Sequence, residues 1–256
     1  MTQPFRLRRT VLRIAVLSAL LPLSGLTAAA DTPDASALLA STDAIRFPQE
    51  SFQVDIDIES RQNDGEATDH HRYRVLSKGR EDTVVLTMEP SSERGQILLM
   101  KHRDLWIFMP SVSQPVRLSL AQRLTGQVAN GDLARANFTG DYTARYLREE
   151  VIDGKPAHVL ELTAVDDGVT YAKVEYWIDT ATTRPIKAAF YAISGRLLKT
   201  CEYMDYKEMA GAVRPTRLVM TDALKAGNVS TMSYSAMNPR PLPDKLFTKE
   251  YLKKLN

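Results

Sequence analysis

Residues 52–59 read Phe-Gln-Val-Asp-Ile-Asp-Ile-Glu, and this stretch decides the fold class. Apolar and polar side chains alternate along it, so one face of the segment is apolar and the other is polar. Successive side chains of a β-strand point to opposite faces, whereas a helix would scatter the same apolar residues around its axis. The segment is therefore predicted to be a half-buried strand whose apolar face packs on a core.

The same rhythm continues along the chain away from this strand. The triplet Asn63-Asp64-Gly65 predicts a hairpin turn, and Asp153-Gly154 and Ser194-Gly195 predict two more. The strand-like runs cover residues 71–77, 83–88, 96–101, 105–109, 116–118, 142–152, 158–164, 171–178, 185–192, 196–206, 214–221 and 230–237. Because no Pro/Gly/Ser-rich linker divides them, residues 31–256 are predicted to form a single domain built on an antiparallel meander of about ten or eleven strands.

Three segments depart from the two-residue period. Asp34 is predicted to cap a helix that ends at Ile45 or Phe47, and the tail from Thr248 is predicted to be a terminal helix. Residues 119–141 are predicted to form a short helix or two with a loop, inserted in the middle of the sheet. This insertion carries spaced apolar residues among small and polar ones, as a mobile cover would: Leu120, Leu124, Val128 and Leu133.

Residues 1–30 have the three parts of a secretory signal peptide. A basic stretch precedes an apolar run from Val11 to Leu26, and Ala28-Ala29-Ala30 offers small residues for cleavage after Ala30. The alternative is a membrane anchor, but Pro22 interrupts the run, which is short for a span of about 20 residues. The pair Arg8-Arg9 leaves open whether export follows the general or the twin-arginine route. No later segment is apolar enough to cross a bilayer, so the mature chain is expected in the periplasm.

Composition argues against several classes of function. Without residues 1–30 the chain has 29 basic and 31 acidic residues, a net charge of −2, which gives little support for nucleic-acid binding. A single cysteine, Cys201, excludes an internal disulfide and a cysteine-based metal site. His70 and His71 are adjacent in a strand and point to opposite faces, so they do not chelate one ion simply. We find no catalytic constellation, and we expect no enzyme activity, no metal and no cofactor.

The central and C-terminal blocks resemble the outer-membrane lipoprotein-sorting family, the LolA/LolB-like proteins. The resemblance covers nearly all of the mature chain, in order. It rests on the sequences Leu-Trp-Ile-Phe-Met-Pro at 105–110, Arg-Leu-Ser at 117–119, Asn-Gly-Asp at 130–132, Asn-Phe-Thr-Gly-Asp-Tyr at 137–142, Tyr-Trp-Ile-Asp at 176–179, Arg-Pro-Ile-Lys at 184–187, Gly-Arg-Leu-Leu-Lys-Thr at 195–200, Arg-Pro-Thr at 214–216 and Leu-Phe-Thr at 246–248.

This resemblance implies a mainly β (α+β) fold, an incomplete antiparallel β-barrel whose hollow is covered by helices. It further implies that the protein binds acyl chains of a lipid or lipoprotein, with an inner-membrane lipid-exporting pump as a further partner. In such a fold the inner face of the sheet is both core and ligand wall. The residues expected to line the acyl-chain hollow are Val54, Ile56, Ile58, Met88, Trp106, Phe108, Leu120 and Leu124. The alternation in the strand at 105–109 does not decide which of its faces is inward.

Three functions compete at this level. The first is a periplasmic carrier of lipid or lipoprotein, and burial of a sixteen-carbon chain is worth roughly 12 kcal/mol to such a container. The second is a non-catalytic accessory module of a lipid-exporting pump or an envelope assembly. The third is a hydrolase whose site the pattern does not reveal. Lipid that co-purifies with the protein would favour the first over the second.

Overall fold

The alternating segment lies in the first strand of the structure. The computed structural model describes residues 1–2, 32–63, 65, 67–135 and 137–252. In chain order the strands are β1 (Phe52–Arg61), β2 (Ala67–Lys78), β3 (Asp82–Glu89), β4 (Ile97–Lys101), β5 (Asp104–Phe108), β6 (Val116–Leu118), β7 (Arg123–Thr125), β8 (Val128–Ala129), β9 (Tyr142–Ile152), β10 (Lys155–Ala164), β11 (Lys173–Asp179), β12 (Pro185–Tyr191), β13 (Leu197–Met209), β14 (Ala212–Asp222) and β15 (Val229–Pro239). In β1 the apolar positions from Phe52 to Ile58 are buried and alternate with more exposed polar positions, as the pattern predicts.

Thirteen of these strands form one antiparallel sheet. Within the described chain their order is β6-β5-β4-β3-β2-β1-β15-β14-β13-β12-β11-β10-β9, and β7 pairs only with β8. Strands β6 and β9 are the two edges, so the described part of the curved sheet does not close on itself, and the predicted incomplete antiparallel barrel is confirmed. The strand number exceeds the expected ten or eleven because every strand-like run of the sequence is a separate strand.

Short turns join neighbouring strands where the sequence predicts them. Ile152 pairs with Lys155, which leaves Asp153 and Gly154 as a two-residue loop. Their φ angles are 50° and 78°, and a type I′ turn needs positive φ at both positions. Such turns match the twist of the flanking strands, which is why Asp-Gly is a reliable hairpin signal.

The first helix begins where its cap was expected. Helix α1 (Ala35–Arg46) follows Asp34, whose carboxylate accepts hydrogen bonds from the backbone N–H groups of Ser36 and Ala37 at 2.9 and 3.2 Å. The helix packs against β9 and β14. Its buried face includes Leu39, Thr42, Asp43 and Arg46, so it places two charged groups inside the protein.

The two faces of the sheet carry different apolar clusters. On the concave face, inward side chains of the strands pack against α1, against the insertion 119–141 and against the short helix α2 (Asn130–Ala134) within it. On the convex face, the C-terminal tail covers the region of β2–β5 with Leu242, Phe247 and Leu252. That tail contains a 3₁₀ turn (Asp244–Phe247) and the helix α3 (Lys249–Leu252), which is the described part of the expected terminal helix.

The described residues from Pro33 onward belong to one compact unit. Apart from Met1 and Thr2, the expected signal peptide lies outside the described residues. Across the described parts of the chain, the helices are too short and too polar to span a bilayer.

Candidate functional site

A cleft lined by both apolar and polar side chains opens between the concave face of the sheet and the two segments that cover it. Its volume is about 620 Å³, part of which is open to solvent. The wall on the sheet side includes Val54 and Ile56 of β1, Val75 of β2 and Tyr234 of β15. The opposite wall comes from Phe47 at the end of α1 and from residues of α2 and the loop after it: Asp132, Leu133, Ala134 and Asn137. The inward-facing residues of the alternating strand β1 thus form part of the cleft wall on the sheet side.

A second pocket, the inner pocket, lies beneath the insertion. It contains about 430 Å³ of space, part of which is open to solvent, and is lined by Phe138, Tyr171, Phe190, Tyr203 and Leu218, among others. The Phe138 ring lies 5.2 Å from the Tyr176 ring and 5.5 Å from the Tyr142 ring, edge to face. Phe138 therefore brings an aromatic side chain from the covering segment into the core of the concave face. We call the concave apolar cluster, with the cleft and this inner pocket, the hollow.

Five of the eight residues that the sequence analysis assigned to the hollow belong to this concave cluster. Val54, Ile56, Ile58 and Leu120 are buried in it, and Leu124 packs against it half-buried. Val54 and Ile56 also line the cleft. The structure brings these five side chains together; their contact with an acyl chain stays a prediction.

The other three residues lie elsewhere, and their assignment to the hollow is corrected. Trp106 and Phe108 face the convex side, where they pack with the C-terminal tail. The inward residues of the same strand are Leu105 and Ile107. Met88 falls at an irregularity between β3 and β2, where Thr87 pairs with Tyr73 and Glu89 with Arg72, and it joins neither cluster. Both faces of β5 are apolar because each packs against other residues. The alternation of apolar and polar residues therefore does not show which face of β5 points into the hollow.

Buried polar contacts fix α1 over the hollow. Asp43 is 1% exposed and accepts hydrogen bonds from the backbone N–H groups of Phe138 and Thr139 and from the Thr139 hydroxyl, at 2.7–3.2 Å. The Arg214 guanidinium donates to the carbonyl oxygens of Ala44 and Ile45 at 2.8 and 2.9 Å. These carbonyls belong to the last turn of the helix, where backbone acceptors lack helical partners.

A second set of contacts fixes the insertion. The Asp132 carboxylate of α2 pairs with the buried Lys199 ammonium and accepts a hydrogen bond from the Tyr171 hydroxyl at 2.8 Å. Lys199 also donates to the carbonyl oxygen of Gln127 at 2.6 Å. The Arg135 guanidinium pairs with Asp141, which closes the C-terminal end of the insertion. In this structure the segment expected to be a mobile cover is held closed over the sheet.

Arg46 places a positive charge within the hollow. Its side chain is 6% exposed, and its guanidinium carbon lies 4.7 Å from the centre of the Phe138 ring and 5.4 Å from that of Tyr203. Burial lowers the pKa of Arg46, but the nearby Tyr203 and Tyr176 phenols and the Asp43 carboxylate together raise it above its ordinary value. Burial also raises the pKa of Tyr176 and of Tyr203 well above the usual range, although Arg46 opposes this. Arg46 is therefore charged at neutral pH and both phenols are protonated.

The polar pair Asp43 and Arg46 within the hollow was not predicted from the sequence. Positions 39, 42, 43 and 46 follow the helical period of α1, so the pattern i, i+3, i+4, i+7 could have marked the two charged residues as inward-facing. An arginine in the last turn of a helix also suits the helix dipole at the surface. Because a surface role explains an arginine at this position, the sequence alone does not indicate that Arg46 is buried.

Comparison with known proteins gives one family model and several solved structures. A family model whose description is "Uncharacterized protein" matches residues 79–254. A LolA superfamily protein from Nitrosomonas europaea is 58% identical over 85% of this chain and 98% of its own, with a TM-score of 0.81. No match was found among curated proteins.

Two more distant structures have the same fold. One is a protein domain from Vibrio parahaemolyticus named for outer-membrane lipoprotein sorting, which is 21% identical over 86% of this chain and 98% of its own, with a TM-score of 0.73. The other is a DUF1329 family protein from Desulfovibrio piger, 19% identical over 85% of this chain and 97% of its own, also with a TM-score of 0.73. At these identities the likeness establishes the fold and nothing further.

Proposed function

The chain belongs to the LolA superfamily, and from this premise we propose that it is a carrier that binds the acyl chain of a lipid or lipoprotein in the hollow. The observation that carries the proposal is the cleft between the sheet and its covering segments, whose apolar lining includes Val54 and Ile56 on one side and Leu133 and Ala134 on the other. Like many small-molecule sites, the cleft combines apolar side chains with polar groups.

Hydrophobic transfer supplies the affinity in this account. Each buried methylene contributes about 0.8 kcal/mol, so a long acyl chain has a strong preference for an apolar container over water. Part of this gain is offset, because the aromatic side chain of Phe138 already fills the space above Tyr142, Tyr176 and Phe190. A chain that enters must replace the contacts of Phe138 and its neighbours, so the bound and empty states differ in the position of the insertion.

The compartment and the partner complete the proposal. We place the carrier in the periplasm, after removal of the signal peptide expected at residues 1–30, and we assign it no enzymatic step. Its partner is taken to be an inner-membrane lipid-exporting pump, which the family resemblance implies. Amino-terminal sequencing of the exported protein tests removal of the signal peptide, with a first residue at or near Asp31 expected. Cross-linking in intact cells followed by mass spectrometry tests whether the protein contacts such a pump.

A pair of tryptophan substitutions tests acyl-chain binding. Val54→Trp fills the cleft, while Leu86→Trp on the nearby strand β3 places the same side chain on the convex face. We expect Val54→Trp to weaken binding of a fluorescent fatty acid about tenfold or more, because the indole ring takes space that the chain would occupy. Keeping two methylene groups in water costs about 1.6 kcal/mol, which corresponds to roughly tenfold in affinity. Leu86→Trp should bind as the parent protein does, and thermal unfolding should confirm that both variants fold.

Equal affinity in the two variants would move the binding site away from the cleft. If the parent protein binds no acyl chain and yields no co-purifying lipid, the carrier proposal fails. The accessory module of a pump or envelope assembly then becomes the better account.

A further inference from the structure

The charge of Arg46 is incompletely paired inside an apolar hollow. Among the described residues its one salt-bridge partner is Asp43, and the distance from Nη1 to Oδ1 is 3.4 Å. Asp43 makes shorter hydrogen bonds to the N–H groups of Phe138 and Thr139. A guanidinium has five N–H donors in a planar fork, so most of the donor capacity of Arg46 is not used by described protein groups. A buried charge in this state costs free energy that a ligand can recover.

A second polar group in the same cluster has no partner. The Tyr176 hydroxyl is fully buried and forms no hydrogen bond with the described residues. Its ring lies 5.2 Å from Phe138 and 6.0 Å from Tyr203, the two rings over which the Arg46 guanidinium also lies. Buried hydroxyls are almost always hydrogen-bonded, so an exception next to a buried cation needs an explanation.

The other charged groups of the inner pocket are already paired. Asp132 binds Lys199 and Tyr171, and Asp141 binds Arg135. These carboxylates are therefore not available to neutralise Arg46 or to attract a cationic ligand. Two donors in this region have spare capacity: the Arg46 guanidinium, which lines the inner pocket, and the Tyr176 hydroxyl, which is buried outside the pocket wall, with its ring against Phe138 and Tyr203.

We propose that Arg46 and Tyr176 form a subsite for the negatively charged head of a single-chain lipid, a carboxylate or a phosphate monoester. The planar fork of an arginine matches the oxygens of either group, and hydrogen bonds between charged partners are stronger than neutral ones. The apolar residues of the cleft, Val54 and Ile56 among them, then accept the chain. The inference rests on the proposed function and specifies its ligand, since a lipoprotein anchor of neutral esters lacks the charge that this subsite selects.

Three ligands of equal chain length test the subsite: palmitate, hexadecyl phosphate and hexadecanol. Each is titrated against a bound fluorescent probe in the parent protein and in the variants Arg46→Met and Tyr176→Phe. Arg217→Met is the control, because Arg217 pairs with Asp205 at the surface. We expect the parent and the control to bind at least one of the charged ligands about tenfold or more tightly than hexadecanol, the factor set by a charge-assisted hydrogen bond.

In Arg46→Met the preference should fall below about threefold while the affinity for hexadecanol is kept, because the charged head loses its partner and the apolar residues that hold the chain are unchanged. Tyr176→Phe, which removes one oxygen atom, should reduce the preference several-fold without loss of the fold. The charged ligand that binds more tightly identifies the head group as carboxylate or phosphate.

Equal affinity for charged and neutral ligands in the parent protein would overturn the subsite and leave acyl-chain binding intact. A preference that survives in Arg46→Met would do the same. If Arg46→Met does not fold, Tyr176→Phe decides, and an unchanged preference there refutes the proposal. If none of the three ligands binds, the proposed function and the subsite fail together.

Discussion

Asp43 joins the two segments that cover the hollow. It lies on α1 and accepts hydrogen bonds from the backbone of Phe138 and Thr139, which follow the insertion's short helix. It is also the partner of Arg46. One carboxylate thus satisfies backbone donors that would otherwise be buried without acceptors, and it offsets part of a buried positive charge.

Substitution Asp43→Ala should lower the free energy of unfolding by about 3–5 kcal/mol, because it leaves a buried cation and buried N–H groups without their partner. Urea denaturation measures this change. Glu161→Ala is the control, since Glu161 pairs with the exposed Arg145 on a strand surface and such pairs are worth about 1 kcal/mol or less. Equal losses of unfolding free energy in the two variants would show that the contacts of Asp43 with the covering segments do not stabilise the fold.

The insertion 119–141 is the element that we propose controls access to the hollow. The turn between β7 and β8 approaches the sheet so closely that a Cβ atom at Gly126 would lie 2.0 Å from the Ser60 hydroxyl oxygen and 2.3 Å from that of Ser230. The backbone N–H of Gln127 donates to Ser230 at 2.9 Å. Glycine is required here for close approach, and its φ of +50° also favours it.

Gly126→Ala should loosen the insertion and increase the rate at which a bound fatty acid exchanges. Gly140→Ala is the matched control, because Gly140 has a φ of +89° but no atom within 4 Å of its added Cβ. Both variants carry a backbone strain of about 1–2 kcal/mol, and only Gly126→Ala adds a clash with the sheet. Stopped-flow exchange of a fluorescent fatty acid compares them, and identical rates would mean that this contact does not control access.

Elements of regular period were predictable from the sequence, and the contacts between elements were not. The strand-like runs and turn signals predicted every strand of the large sheet, and the capping position of Asp34 predicted the start of α1. The insertion was recognised as an interruption, but β7, β8 and α2 are too short for a period to emerge. Their positions depend on long-range partners such as Lys199 and Ser230, which no local pattern reveals.

The open sheet of the whole molecule has two covered faces, and this limits what a pattern of alternation predicts. Val54 and Ile56 were assigned to the hollow, and they lie there because their strand has one polar face. Trp106 and Phe108 were assigned to it as well and lie on the convex face, because β5 is apolar on both sides and the tail from Leu242 covers the second. Only the three-dimensional arrangement shows which apolar residues face the hollow and which pack under the C-terminal tail.

The central claim is that an acyl chain lies against the concave face of the sheet. Isotope-filtered NMR of the protein with labelled isoleucine and valine methyl groups, bound to unlabelled palmitate, tests it most directly. We expect nuclear Overhauser contacts from the chain methylenes to Val54 and Ile56 of the cleft, and none to Val84 and Ile97, which are buried on the convex face. Contacts to Val84 and Ile97 in place of Val54 and Ile56, or no contacts at all with palmitate in excess, would contradict the account.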